Sequence, residues 1–263
     1  MENRTWAEKM TARYDRCLQT GWSSYFDKIG FLNVGYWRGI ENSLEMAQIN
    51  LIETLVSFFH NTDGNVLDVA CGNGASTKFL TKYFDAKRIT GINISASQLE
   101  RCKVFAPECE FKLMDATKLG FESSSYDNVL CIEAAFHFTT RLRYFEEAYR
   151  VLKPSGRMAM LDILFDYDLL ESLDSDVDAS VFPRENYLPN LDAYREGLLK
   201  VGFRHVRVDD CTVLTGNAVC KYLIRLLERE FGKTEDAKLF ERIRTTELIY
   251  KACSPWCMVY AVK

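Results

Sequence analysis

Residues Val66–Gly74 read V-L-D-V-A-C-G-N-G. Val66, Leu67 and Val69 surround one acid, Asp68, and lead into the turn Cys71-Gly72-Asn73-Gly74, which has almost no side chains. The segment after it, Ala75–Phe84, has helical spacing. A strand, a glycine turn and a helix in this order place backbone N–H groups and a helix N-terminus beside the strand's carboxyl end, which favours an anionic group there. Gly72 and Gly74 allow close approach of backbone and ligand. A tight turn with no ligand accounts for the same glycines, so the flanking residues decide. The dinucleotide fingerprint places a third glycine near position 77, where Thr77 stands, and the Gly-Lys-Ser/Thr ending of a P-loop is missing. Asp68 would repel a pyrophosphate. It suits a ligand that carries an ammonium group beside its carboxylate. Ala70 reads as a small residue that the strand end tolerates.

Downstream, short apolar runs alternate with helical segments. Strands are expected in NVLDVA, RITGINI, CEFKLM, YDNVLCI and GRMAMLDIL, with helices over Ala75–Phe84, Ala96–Phe105 and Leu142–Leu152. Pro154 and Gly156 in LKPSG end the last helix. This alternation predicts a parallel sheet with right-handed crossovers. Upstream, residues 1–60 read as helical, with Leu44–Phe59 amphipathic after the aromatic stretch FLNVGYW. Residues 165–190 are acidic and irregular, as in a loop or lid. The helix LDAYREGLLKVGF, the strand RHVRVDDCTVL, a helical stretch Val219–Lys251 and the strand WCMVYAVK follow. The two late strands lack short βαβ spacing, so an antiparallel edge is expected.

The 263 residues suit one domain: an N-terminal helical lid over 1–60, a core over 61–165, and a second lid with the last strands over 166–263. With 48% hydrophobic and 27% charged residues and a net charge of −4, the chain is ordinary for a globular protein. Its Lys and Arg form no run, which argues against a nucleic-acid or acidic-membrane surface. Nine cysteines include no C-x-x-C pair, and CSPWC has no second pair or nearby His to complete a zinc site, so no metal is expected. Free thiols, a charged N-terminus without an apolar signal core, and no apolar run near the ~20 residues of a membrane span indicate a cytoplasmic protein.

VLDVACGNG resembles the first motif of class I S-adenosylmethionine-dependent methyltransferases. ITGINIS, LMDATKLGF, SYDNVLCIEAAFHF and YRVLKPSGRMAMLDIL resemble the motifs that follow, in order, and FLNVGYW resembles the N-terminal segment of the small-molecule enzymes, including sterol, tocopherol and sugar types. The resemblance covers roughly residues 31–165. It implies a Rossmann-like, doubly wound α/β fold with a mostly parallel seven-stranded sheet, an antiparallel edge strand and a helical lid, and S-adenosyl-L-methionine as cofactor. It implies that Ala70, Cys71 and Gly72 line the methionine portion, that Asp68 anchors the network around its amino group, that Gly74 belongs to the cofactor site, and that Asp115 and the backbone of Ala116 read the adenine amine. Ile132 lies against the cofactor, and Asn33 and Tyr36 close the site. Family members commonly carry an acid at the end of the second strand for the ribose hydroxyls. Asn93 stands there instead, so ribose contact falls to Asn93 with Gln98, as in cyclopropane-fatty-acid-type and sugar O-methyltransferase-like relatives.

Methyl transfer is a displacement at an activated carbon, so the enzyme mainly supplies alignment, worth ~7–11 kcal/mol. A base is needed when the nucleophile carries a proton. Of three histidines, His60 and His205 read as surface residues, whereas His137 follows the fourth strand, at the ligand end of such sheets. In sugar-type relatives a His here works with an Asp at the end of the fifth strand, which implies His137 and Asp162 as a catalytic dyad. Glu133 is a further candidate, as a polar wall or a cation's partner. Phe165, Tyr167, Phe182, Tyr187 and Trp256 are read as an aromatic substrate wall, or as ordinary lid core. The expected activity is methyl transfer to a small-molecule acceptor, with oxygen favoured. Carbon or nitrogen acceptors, a methyltransferase-fold cyclase and a non-catalytic cofactor-binding protein are the alternatives.

Overall fold

A computed structural model describes residues 5–17, 30–39, 43–172, 182–231 and 237–263. The strands are β1 (Val66–Val69), β2 (Ile89–Asn93), β3 (Glu110–Leu113), β4 (Tyr126–Ile132), β5 (Leu152–Ile163), β6 (Arg204–Asp210) and β7 (Trp256–Val262). They form one seven-stranded sheet in the order β3-β2-β1-β4-β5-β7-β6. β1 pairs in parallel with β2 and β4, β2 with β3, and β4 with β5. The antiparallel element is β7, which runs between β5 and β6 and pairs antiparallel with both.

The helices are α1 (Trp6–Cys17), α2 (Leu44–Val56), α3 (Ala75–Leu80), α4 (Ala96–Phe105), α5 (Arg141–Val151), α6 (Tyr167–Ser172), α7 (Leu191–Val201), α8 (Gly216–Phe231) and α9 (Ala237–Ala252). Strand alternation divides the core between the two faces. Val66, Ile89, Leu130, Ala159 and Leu161 pack with residues of α2, α3 and α8. Leu67, Val69, Val129, Cys131, Met158 and Met160 pack with α5 and α7. Burial of all four β1 residues follows from this double cover. The strand order reverses at β1, so the crevice outside the carboxyl ends of β1 and β4 is the place where such sheets bind ligands.

Helix starts are set by short polar side chains that accept from the free N–H groups of the first turn. Ser43, Ser95, Thr140 and Asn190 cap α2, α4, α5 and α7 through their side-chain oxygens. The structure differs from the expected elements in four places. α3 ends at Leu80, because the next turns close with the tighter bonds Thr81 N to Lys78 O and Tyr83 N to Leu80 O. Pro154 and Gly156 lie inside β5, where the pairing with β4 jumps from Tyr126–Leu152 to Asn128–Arg157. The expected lid loop contains α6 and a 3-10 turn at Arg184–Asn186, while its residues 173–181 lie outside the described residues. The long C-terminal helical stretch is divided into α8 and α9, and residues 232–236 are likewise outside. The parts of the N-terminal lid at 1–4, 18–29 and 40–42 are also not described.

Candidate functional site

Outside the ends of β1, β2 and β4 lies a cavity of about 250 Å³. Its floor is the β1 turn. Ala70 and Gly72 take left-handed backbone angles, with φ of 57° and 54°. The alanine expected to be incidental therefore occupies a conformation that costs a non-glycine residue ~1–2 kcal/mol. Cys71 is tied to the second strand by its N–H to Ile92 O (3.0 Å), and its thiol lies 3.8 Å from that of Cys102. The Cys102 thiol and then burial push the Cys71 thiol well above its usual range.

Asp68 is 1% exposed and lines the cavity. Ser76 and Thr77, on the first turn of α3, donate their hydroxyls to its Oδ2 at 2.7 and 2.6 Å. Thr77 thus fills the place of the third glycine with a bond to the acid that excludes a pyrophosphate. Burial pushes the Asp68 carboxyl up to about 6, against the two hydroxyls, which hold it down. With its pKa raised on folding, stability contributed by this group is full below the ordinary carboxylate range and is lost as the pH rises through about 6. A neighbouring cation would offset that loss.

At the end of β2 the side chains form a fixed pair. Asn93 Oδ1 accepts from Ser95 N (3.0 Å), and Asn93 Nδ2 donates to Gly72 O (3.3 Å) and to Gln98 Oε1 (2.9 Å). Both amide hydrogens of Asn93 are engaged by these bonds, while its Oδ1, on a cavity-lining side chain, keeps a second acceptor position. Gln98 Nε2 is buried with no hydrogen-bond partner and belongs to a cavity-lining side chain. Asp115, whose Oδ1 accepts from the backbone and hydroxyl of Thr117, lines the far side with Ala116. Asn33 and Ile132 also line the cavity.

Two expected site residues stand elsewhere. Tyr36 does not line the cavity, because its N–H bonds Ala47 O (2.8 Å) and its ring packs with the α2 cluster. Gly74 is the N-cap of α3 at φ 90°, and a Cβ there would lie 3.0 Å from Cys102 Cα, so packing against α4 accounts for this glycine.

His137 lines the cavity on a 3-10 turn, Ala135–His137, after β4. Its ring stacks on Phe182 at 5.6 Å and 14°. The expected His137–Asp162 dyad is not formed. Asp162 is wholly buried outside the cavity lining. Its Oδ2 accepts from Arg141 Nε (2.7 Å) and the Tyr194 hydroxyl (2.8 Å), and its Oδ1 from Phe136 N (3.1 Å). A buried carboxylate takes the nearest cation and donors that can satisfy it, and α5 brings Arg141 there. Arg141 also donates to Asn186 O and Ile163 O, while Asn186 Nδ2 donates to Ala135 O, Phe136 O and Phe138 O. The cluster anchors the His137 turn to β5 and the lid.

Phe165 and Phe182 pack with Phe136, and Tyr167 packs on Phe165. Tyr187 is exposed, and Trp256 stacks on Tyr250 in the same apolar cluster that holds Phe136, Phe165 and Phe182. The helical lid expected over 1–60 supplies α1, whose lining side chains were not singled out in the sequence. Trp6 and Met10 line the cavity, and Trp6 Nε1 donates to His137 O (2.9 Å). Their i, i+4 spacing was the available signal. Glu133, at the end of β4, also faces the cavity. Val34 N donates to its Oε1 (2.8 Å), and burial pushes its carboxyl up to about 8.

The described lining thus holds three carboxyls, Asp68, Asp115 and Glu133, and neither Lys nor Arg. S-adenosylmethionine, with an ammonium, a sulfonium and one carboxylate, fits this charge. The unused Gln98 amide donor and the side-chain-free approach at Gly72 fit its polar and close-packed parts. Among the described residues, no group of His, Cys, Asp and Glu could hold a metal, and no helix is long and apolar enough to cross a membrane.

The methyltransferase domain family matches residues 67–160. The chain is 29% identical over 228 residues to erythromycin 3''-O-methyltransferase of Saccharopolyspora erythraea, covering 80% of this chain and 74% of that protein. The fold is shared with the cyclopropane synthase MmaA2 from Mycobacterium tuberculosis, with a TM-score of 0.75 and 17% identity over 100% of this chain and 99% of that one. It is shared also with the cyclase SpnF, with a TM-score of 0.73 and 17% identity over 99% and 97% of the two chains. The domain match falls on the strands and turns that build the cavity, so residues 67–160 carry a methyltransferase domain, and S-adenosylmethionine is the cofactor that this match supports.

Proposed function

We propose that this methyltransferase acts on a hydroxyl group of a small-molecule acceptor. The observation that carries the reading is one cavity lined both by the β1–β2 residues suited to the cofactor and by the acid–base groups after β4. The named activity of the erythromycin relative supports oxygen as the acceptor atom. When bound, S-adenosylmethionine supplies a methyl group already activated by its positive sulfur. Asp68 holds the ammonium region, backed by Ser76 and Thr77. Ala70, Cys71, Gly72 and Asn33 enclose the methionine portion. Gln98 donates to the ribose, held in place by Asn93, and Asp115, Ala116 and Ile132 line the adenine end. Trp6 and Met10 exclude water from above.

His137 takes the proton from the acceptor hydroxyl. Asp162 positions the turn that carries it, through Phe136 N and Arg141, and does not touch the ring's proton. The free cysteines of the described residues support a reducing, cytoplasmic setting.

Incubation with methyl-labelled cofactor and a panel of hydroxylated small molecules tests the reading. Label in an ether product is expected. Product without label would favour the cyclase alternative. His137→Ala is expected to lower turnover roughly 10²-fold, with S-adenosylhomocysteine affinity near that of the native protein. Unchanged turnover would remove His137 from the chemistry. Gln98→Ala is expected to weaken S-adenosylhomocysteine binding about tenfold in calorimetry, the loss of one or two hydrogen bonds, with turnover at saturation little changed. An unaltered Kd would dismiss the ribose assignment.

A further inference from the structure

We propose that Glu133 is the counter-charge of the cofactor's sulfonium: it keeps its proton when the cavity is empty or holds S-adenosylhomocysteine, and releases it to solvent when S-adenosylmethionine binds. The proposal rests on the cofactor assignment and adds a distinction between the methylated and demethylated forms.

The geometry is specific. Glu133 sits one residue past β4 with φ 50°, and its N–H is fixed to Leu161 O (2.8 Å). Its Oε1 is fixed to Val34 N (2.8 Å). Its Oε2 has no hydrogen-bond partner among the described residues, and the side chain lines the cavity. One oxygen is therefore anchored and the other is available to the ligand, with no lysine or arginine in the described lining to neutralise it.

The groups around Glu133 make the charge costly when no cation is present. Asp68 of β1 and Asp115 after β3 share the cavity and are acids, and His137 shares it from the turn after β4. Cys211, after β6, and Tyr250, of α9, feel the Glu133 charge, and burial pushes both upward, so both stay neutral. Burial holds the Glu133 carboxyl at about 8. A positive charge within ~4–6 Å lowers a carboxyl by about 1–3 pKa units. The sulfonium is the charge that distinguishes the two cofactor forms. Their ammonium and carboxylate are common to both, so the response of Asp68 cancels in the comparison.

The sign follows from linkage. The methylated form prefers the ionised Glu133, so its affinity relative to the demethylated form rises with pH until the group is ionised in the unliganded protein as well. Starting from a carboxyl at about 8, a lowering of 1–3 units corresponds to release of about 0.4–0.9 proton at pH 7. In catalytic terms, Glu133 makes the pocket more favourable to the reactive form than to its product.

Calorimetric titration of the full chain at pH 7, repeated in buffers of different ionisation enthalpy, counts the protons. S-adenosylmethionine is expected to release about 0.4–0.9 proton more than S-adenosylhomocysteine. Glu133→Gln keeps the acceptor for Val34 N and is expected to abolish that difference and the pH dependence of the affinity ratio. Equal proton counts for the two ligands in the native protein, or a difference that survives in Glu133→Gln, would overturn the proposal. Failure of both ligands to bind would instead overturn the cofactor assignment on which it rests.

Discussion

Arg141→Met is expected to lower the free energy of unfolding by about 3–5 kcal/mol, the cost of leaving a buried carboxylate without its cation. Arg141 is 3% exposed and Asp162 is 0% exposed, so neither charge can turn to water. The guanidinium also bridges Asn186 and Ile163 carbonyls, so one substitution removes donors from the lid and from β5 together. For a chain of this size, Tm is expected to fall by about 6–20 °C, read by calorimetry or by circular dichroism on heating. A loss below about 1 kcal/mol would mean that the pair is not closed in solution. Because the same cluster holds the turn bearing His137, the folded fraction at low temperature is also expected to lose turnover.

Gly72→Val is expected to abolish S-adenosylhomocysteine binding in calorimetry while the chain remains folded. A Cβ at this position meets no protein atom closer than Leu32 Cδ1 at 3.4 Å. The fold therefore bears mainly the conformational cost of a side chain at φ 54°, ~1–2 kcal/mol. The ligand bears the rest, since Gly72 and Leu32 both line the cavity. Gly72→Ala is expected to fall between the native protein and the valine variant. Binding by the valine variant within tenfold of the native Kd would show that the ligand does not approach this turn.

The two turn glycines show where sequence reading succeeds and where it stops. Val66–Gly74 predicts a strand, a turn and a helix from residues adjacent in the chain, and each is found. It does not separate a glycine kept for ligand approach from one kept for packing. Gly72 borders the cavity, whereas Gly74 is constrained by Cys102, which lies a whole βα unit away. Ala70 carries the same lesson. Its small size is visible in the sequence, but its left-handed backbone is imposed by the connection from β1 into the turn.

The alternation of buried strands and helices and the ligand crevice beside Asp68 at the end of β1 were legible in the chain order. Those features depend on backbone propensity, side-chain period and the charge of Asp68, which are local. Partner choice depended on the tertiary structure. Asp162 pairs with Arg141 and not with His137, Asn93 spends its amide on Gln98 and Gly72, and Trp6 reaches His137 across 131 residues. A buried polar group must find whichever donors or charges the packed elements bring within about 3 Å, and that set exists only once helices from distant parts of the chain have closed over the sheet.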